Sequence, residues 1–242
     1  MSHALKLWRE QGDDSKVAQT LMDLSDANWL MGLSKEAIQQ SEEALEIYGR
    51  LGGTLKQAEC LDSLAASLCS DGQLDAAEEA AFRAIALLPD EGEEHRVGQC
   101  HQTLANIYRL KGEIEKAIHH FEEAIGIASP FNWHDHLFWA HYKLAELFGS
   151  EGRLDDAQAH IERAKFHAAD DAYNLGAATK LQATVWYEQG RLEEARTEAL
   201  RAADIYEKLG DAKRLEGCTK FLQKTENDLV ASCQSAWNCE LL

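Results

Sequence analysis

Ahead of five glycines along this chain, apolar residues fall three and four apart, as in Leu21 and Leu24 and again in Leu61, Leu64 and Leu68. That spacing predicts one amphipathic helix face before each glycine. After the glycine a second apolar face begins, for example Ala117, Phe121, Ala124 and Ile125, and predicts a second helix. The glycines are Gly32, Gly72, Gly112, Gly152 and Gly190, at intervals of 40, 40, 40 and 38. Each is predicted to end the first helix, where a left-handed residue is needed and glycine takes that conformation without steric cost.

Other positions keep the same beat. "DGQLDAAEEAAFRAIAL", "KGEIEKAIHHFEEAIGI" and "EGRLDDAQAHIERAKFH" are one pattern written three times. Five residues after each glycine stands Ala37, Ala77, Ala117, Ala157 or Ala195, and twelve after it Ala44, Ala84, Ala124, Ala164 or Ala202. Eight before the first four glycines stand Leu24, Leu64, Leu104 and Leu144. Small residues let paired helices approach closely while bulky ones fill the grooves between them. A single pair cannot bury both of its faces, so such units are predicted to stack on one another in an all-α solenoid.

Leucine, then an aromatic or large residue, then glycine and two spaced alanines at these offsets resemble the tetratricopeptide repeat. The resemblance covers residues 16–217 and implies a right-handed superhelical solenoid of antiparallel helix pairs. The step from Ala44 to Leu61 is 17 residues where the standard unit has about 11. In this the chain is similar to the longer-helix units of kinesin light chains and of the sensor arms of signal-transduction NTPases. Five helix pairs are therefore expected over 16–217, with the end of a preceding helix at 1–15 and a capping helix with a polar tail at 218–242. "LKLWREQGDDSKVA" parallels "ADIYEKLGDAKRLEG", which makes the start resemble a unit lacking its first helix and the chain a piece of a longer protein.

The resemblance implies that first helices line a concave groove, at thirteen, ten, six, three and two residues before each loop glycine. Those offsets select Trp29, Asp62, Gln102, Asn106, Arg109, Trp139, Tyr142 and Tyr187 as partner-binding candidates, with Glu59 and Lys180 among their neighbours. Aromatic side chains there would supply rigid apolar area, and the amides of Gln102 and Asn106 could bond an extended backbone. Glu59 and Asp62 stand where a carboxylate-gripping cluster would need cations, so a basic or neutral protein or peptide is the expected partner. Exposed end helices also allow self-association, head to tail or by exchange.

Charge and composition narrow the class of function. Acidic residues number 42 and basic ones 24, a net charge of −18 that disfavours nucleic acid and anionic membranes. There is no glycine- or serine-rich linker, so no domain boundary is expected. Cys60, Cys69, Cys100, Cys218, Cys233 and Cys239 form no Cys-x-x-Cys pair and read as free thiols of a cytoplasmic protein. No nucleophile elbow, phosphate loop or zinc-protease motif occurs, so neither an enzyme nor a cofactor is expected. "SPFNWHDHLFWAHY" (129–142) reads as an enlarged inter-repeat loop. Its His134, His136 and His141 offer an alternative function as a metal site, for which three or four converging ligands are required. His101 and His141 share the register of Leu21 and Leu61, eleven before the glycine, and are expected in the core with a satisfied nitrogen.

Overall fold

The computed structural model describes residues 3–89, 92–168 and 171–240, with side chains described as far as residue 232. Among them are twelve α-helices and no strand. The helices are α1 (His3–Gln11), α2 (Asp14–Leu30), α3 (Ser34–Leu51), α4 (Thr54–Asp71), α5 (Leu74–Leu87), α6 (Glu94–Lys111) and α7 (Ile114–Ala128). They continue with α8 (His134–Ser150), α9 (Leu154–His167), α10 (Ala172–Glu188), α11 (Leu192–Leu209) and α12 (Ala212–Glu240). Even-numbered helices from α2 to α10 pair with the helix that follows, and the fold is a TPR-like helical solenoid.

The pairing follows from the alanine positions. All ten alanines at the five- and twelve-residue offsets are at most 1% exposed. Each lets a neighbouring backbone come close, and the gaps are filled by Leu21, Leu61, Leu104, Leu144, Phe121, Phe138 and Ile161, all 2% exposed or less. A void left by truncating such a side chain is felt at once, because the interior is packed to crystal-like density.

A second beat runs between the five loop glycines. Gly12, Gly32, Gly52, Gly72, Gly92 and Gly112, twenty residues apart, all have positive φ. Gly32, Gly72 and Gly112 close first helices and Gly12 and Gly52 close second ones, whereas α5 ends earlier, at an extended Leu88 ahead of Gly92. Where the next member of the series falls, Asn132 takes φ 51°, the sole non-glycine residue among those described to do so. Asparagine is one of the few side chains that visits this conformation at small cost.

The chain divides there into two compact units, Met1–Phe131 and Asn132–Leu242, although no linker composition marks the place. A 3-10 turn at Ser129–Phe131 and the left-handed Asn132 interrupt the helices. The expected loop at 129–142 is much shorter than that: α8 already starts at His134, with Leu137, Phe138, Ala140 and His141 buried. The terminal helix also starts earlier than expected, at Ala212 rather than 218. Gly210 turns left-handed to end α11, and the Asp211 carboxylate accepts from the Arg214 amide to open α12. The backbone of α12 is helical to Glu240, and the side chains of the expected polar tail, with Cys233 and Cys239, lie outside the described residues. None of the described helices is long and apolar enough to cross a membrane.

Candidate binding clefts

First helices present their groove positions toward one another within each unit, and each unit holds a cleft there. In the first unit, a cleft of about 190 Å3 lies between Gln19, Met22 and Asp26 of α2, Glu59 and Asp62 of α4, and Arg96 and Gln99 of α6. Arg96 pairs with Glu59 at 2.7 Å and with Glu93 at 2.9 Å. Asp62 accepts from the Thr103 hydroxyl at 2.9 Å, and Asp26 accepts from Ser63 at 3.2 Å. Burial pushes the Asp62 carboxyl up to about 6, against the hydroxyl bond that favours its charge, and burial likewise raises Asp26.

In the second unit, a cleft of about 400 Å3 lies among Trp139, Tyr142, Lys143 and Glu146 of α8, Tyr173, Lys180 and Thr184 of α10, and Arg214 of α12. Trp139 is 40% exposed and meets Tyr142 edge-on at 5.8 Å; Tyr142 in turn stacks on buried Phe138 at 5.6 Å. The Arg214 guanidinium lies 4.3 Å from the Tyr173 ring centroid, and Lys143 pairs with Glu146 at 2.7 Å. Burial, then the Glu146 carboxylate, hold the Tyr142 hydroxyl above its ordinary range.

The sequence-derived candidates divide between these clefts and their surroundings. Asp62 lines the first cleft, and Trp139 and Tyr142 line the second. Tyr187 lies further along α10, where its hydroxyl donates to Asp228 and its ring meets Phe221 and Lys224. Trp29 is exposed on α2 and donates from Nε1 to Ser70 at 2.8 Å. Gln102, Asn106 and Arg109 are half-buried on α6 and line neither cleft; Asn106 donates to the Gln102 carbonyl of its own helix. Arg96, Tyr173 and Arg214 escaped the offset rule because they sit one helical turn earlier, sixteen or seventeen residues before a loop glycine or its equivalent. The signal was their three- or four-residue spacing from positions already selected, such as Arg96 before Gln99 and Tyr173 before Ala177.

Six of the ten histidines are used in packing pairs. His101 Nδ1 lies 3.1 Å from His120 Nδ1, and His141 Nδ1 lies 3.0 Å from His160 Nδ1. These are the same two repeat positions in successive pairs, and they satisfy a nitrogen of each ring. His134 pairs with His167 at 3.1 Å, and the His167 ring stacks on His141 at 5.9 Å. Burial first, and then neighbouring rings or Arg163, lower His141 to about 3 and His160 to about 4. Among the described residues no group of three or more His, Cys, Asp or Glu side chains is placed to hold a metal ion. Cys60, Cys69, Cys100 and Cys218 are free, and burial raises each thiol.

Comparison with known proteins agrees with this architecture. BtubC (BKLC) from P. vanneervenii is 19% identical with a TM-score of 0.73, over 86% of this chain and 89% of that one. A Rap protein solved in complex with Competence and Sporulation Factor is 15% identical, with a TM-score of 0.65 over 90% of this chain and 65% of that one. The Podosopora anserina putative kinesin light chain repeats are 18% identical, with a TM-score of 0.64 over 88% of this chain and 100% of that one. A comparison with the curated proteins gives no match. The model of the MalT-like TPR region matches residues 58–226, well over half of the sequence, and so this chain belongs to the MalT-like TPR family.

Proposed function

We propose that the chain is a non-catalytic protein-interaction module that holds a segment of a partner protein along its first-helix faces. The observation that carries this reading is the presence in each unit of an open cleft at equivalent groove positions, lined by polar and charged side chains in both and by exposed aromatics in the second. Exposed aromatics beside charged groups are the composition of binding hot spots rather than of a helix seam. The acidic cleft of the first unit suits a basic side chain of the partner, and the free thiols suit a reducing, cytoplasmic setting. Complementary charge of this kind sets specificity and association rate more than affinity. The Rap protein of similar fold was solved with a second molecule bound, which supports the reading by analogy of architecture alone.

The test is selection of short peptides from a displayed random library on the full chain. Enriched peptides are expected to lose about tenfold in affinity on Asp62→Lys or on Trp139→Ala/Tyr142→Ala, the scale of one lost anchor. Failure to enrich any peptide, or peptides indifferent to both changes, would overturn the proposal. The match to the MalT-like TPR region favours a second reading, in which this module is the sensor arm of a larger NTPase-type signalling protein. That reading requires a nucleotide-binding region encoded in the same gene.

A further inference from the structure

Lys180 is half-buried in the middle of α10, and among the described residues its ammonium has no hydrogen-bond or ion-pair partner. It lies against the backbone of α12 at Gly217, where a Cβ would come within 3.1 Å of Nζ. A helix-interior glycine costs roughly 1 kcal/mol relative to alanine, and here the missing side chain leaves room for the ammonium.

The neighbouring charges do not neutralise it. Lys143 and Glu146 already satisfy one another at 2.7 Å, and Arg214, stacked on Tyr173, is held by Asp211 at 2.7 Å. The cleft thus presents three cations and one carboxylate among its lining residues, beside the exposed faces of Trp139 and Tyr173. A basic group entering it would meet like charge. A carboxylate entering it would complete Lys180 in a charge-assisted hydrogen bond, the stronger kind in a partly desolvated site.

We propose that the cleft between α8, α10 and α12 receives an acidic side chain flanked by an aromatic or aliphatic residue, from an internal segment of a partner protein. Lys180 supplies the unsatisfied cation, and Trp139 and Tyr173 supply the apolar walls. The segment is internal rather than a chain end because the same face continues past the cleft. Tyr187, Phe221 and Lys224 follow Lys180 and Gly217 at seven- and four-residue steps, giving the partner chain a surface to run on. This inference rests on the groove-binding function proposed above and specifies the chemistry of one of its two clefts.

The same peptide selection tests it, with Lys180→Gln and Lys180→Glu added and folding checked by thermal melting. The expected result is enrichment of Asp or Glu next to an aromatic or aliphatic residue. Those peptides should weaken about tenfold on Lys180→Gln, the worth of one hydrogen bond to a charged group. The Lys180→Glu chain should select basic peptides in their place. Peptides enriched without acidic preference, or acidic peptides unaffected by Lys180→Gln, overturn this inference. The groove-binding function then still stands if those peptides respond to Asp62→Lys or to the Trp139/Tyr142 double change. No enrichment on any chain overturns both.

Discussion

In the first unit, Asp26, Glu59 and Asp62 face one cation, Arg96; in the second, Lys143, Lys180 and Arg214 face one carboxylate, Glu146. The two clefts use the same repeat positions. Asp62 and Lys180 both stand ten residues before their loop glycine, as do Met22, Gln102 and Tyr142. The whole units are less opposed than their clefts. Residues 1–131 carry 11 basic and 23 acidic side chains, and residues 132–242 carry 13 and 19, so the net charges are −12 and −6. The repeat decides where a side chain points, and the residue chosen there decides what it can bind. A solenoid can therefore present unlike surfaces without any change of backbone.

The largest expected difference between the units is their response to acid. His141 and His160 titrate below the ordinary histidine value of 6.5, so the unfolded chain takes up protons that the folded second unit refuses. Their contribution is fully present above about pH 6.5 and falls away as pH drops toward 4 and then 3. The loss in the second unit is on the order of 3 kcal/mol by pH 5. The first unit has the His101–His120 pair, with His120 lowered to about 4, but also Asp62, whose raised value acts in the other direction. Asp62 contributes stability below its ordinary value of 3.8 that is lost as pH rises through about 6. Hydrogen exchange resolved by helix should show α8 and α9 losing more protection than α4 and α6. His141→Leu/His160→Gln, borrowing the residues found at the same positions as Leu21 and Gln40, should remove most of the slope. Equal sensitivity of the two units, or a slope that survives the double change, would break the comparison.

Next in size is a pair of glycine substitutions at one repeat position. Gly98 and Gly176 both stand fourteen residues before a loop glycine, within α6 and α10. A Cβ at 98 would make ordinary contact with Ile127 at 3.5 Å, whereas one at 176 would meet Ile205 at 3.0 Å and the Tyr206 ring at 3.1 Å. Tyr206 is 1% exposed, so its ring would have to shift within the packed core or toward the adjoining cleft. Gly98→Ala should stabilise by about 0.5–1 kcal/mol through helix propensity. Gly176→Ala should destabilise by roughly 1–3 kcal/mol through overpacking. Urea denaturation followed by circular dichroism separates the two, and effects of the same sign would show that the second unit can repack at that point.

The smallest effect sharpens the electrostatic side. Asp62→Asn keeps an acceptor for Thr103 and removes a charge disfavoured by burial. It should stabilise by about 1 kcal/mol at pH 8 and by nothing measurable at pH 4, where the carboxyl is already protonated. A gain of equal size at both pH values would mean that the charge was not the cost.

Much of this was legible before any coordinates. Groove offsets led from loop glycines to Asp62, Trp139, Tyr142 and Lys180 because a helix of fixed pitch places residues three, four and seven apart on one face. They missed Arg96 and Arg214 only by stopping one turn short. They also selected Gln102, Asn106 and Arg109, which line neither cleft. The loop read into 129–142 was mistaken for a different reason. Histidines, asparagine and proline look like loop composition, yet the buried Leu137, Phe138 and His141 reward helix as soon as Asn132 has made the turn.

What the sequence by itself determined is the periodic part: five helix pairs, the alanine seams, and the glycine that closes each first helix. These are set by local rules, in which sterics at one residue and helical pitch over a few residues suffice. What only the tertiary structure decided depends on residues far apart in the chain: the pairing of His141 with His160, the room that Gly217 leaves for Lys180, and the balance of charge in each cleft. Burial and the distance between side chains on different helices set those energies, and neither is written in any one stretch of sequence.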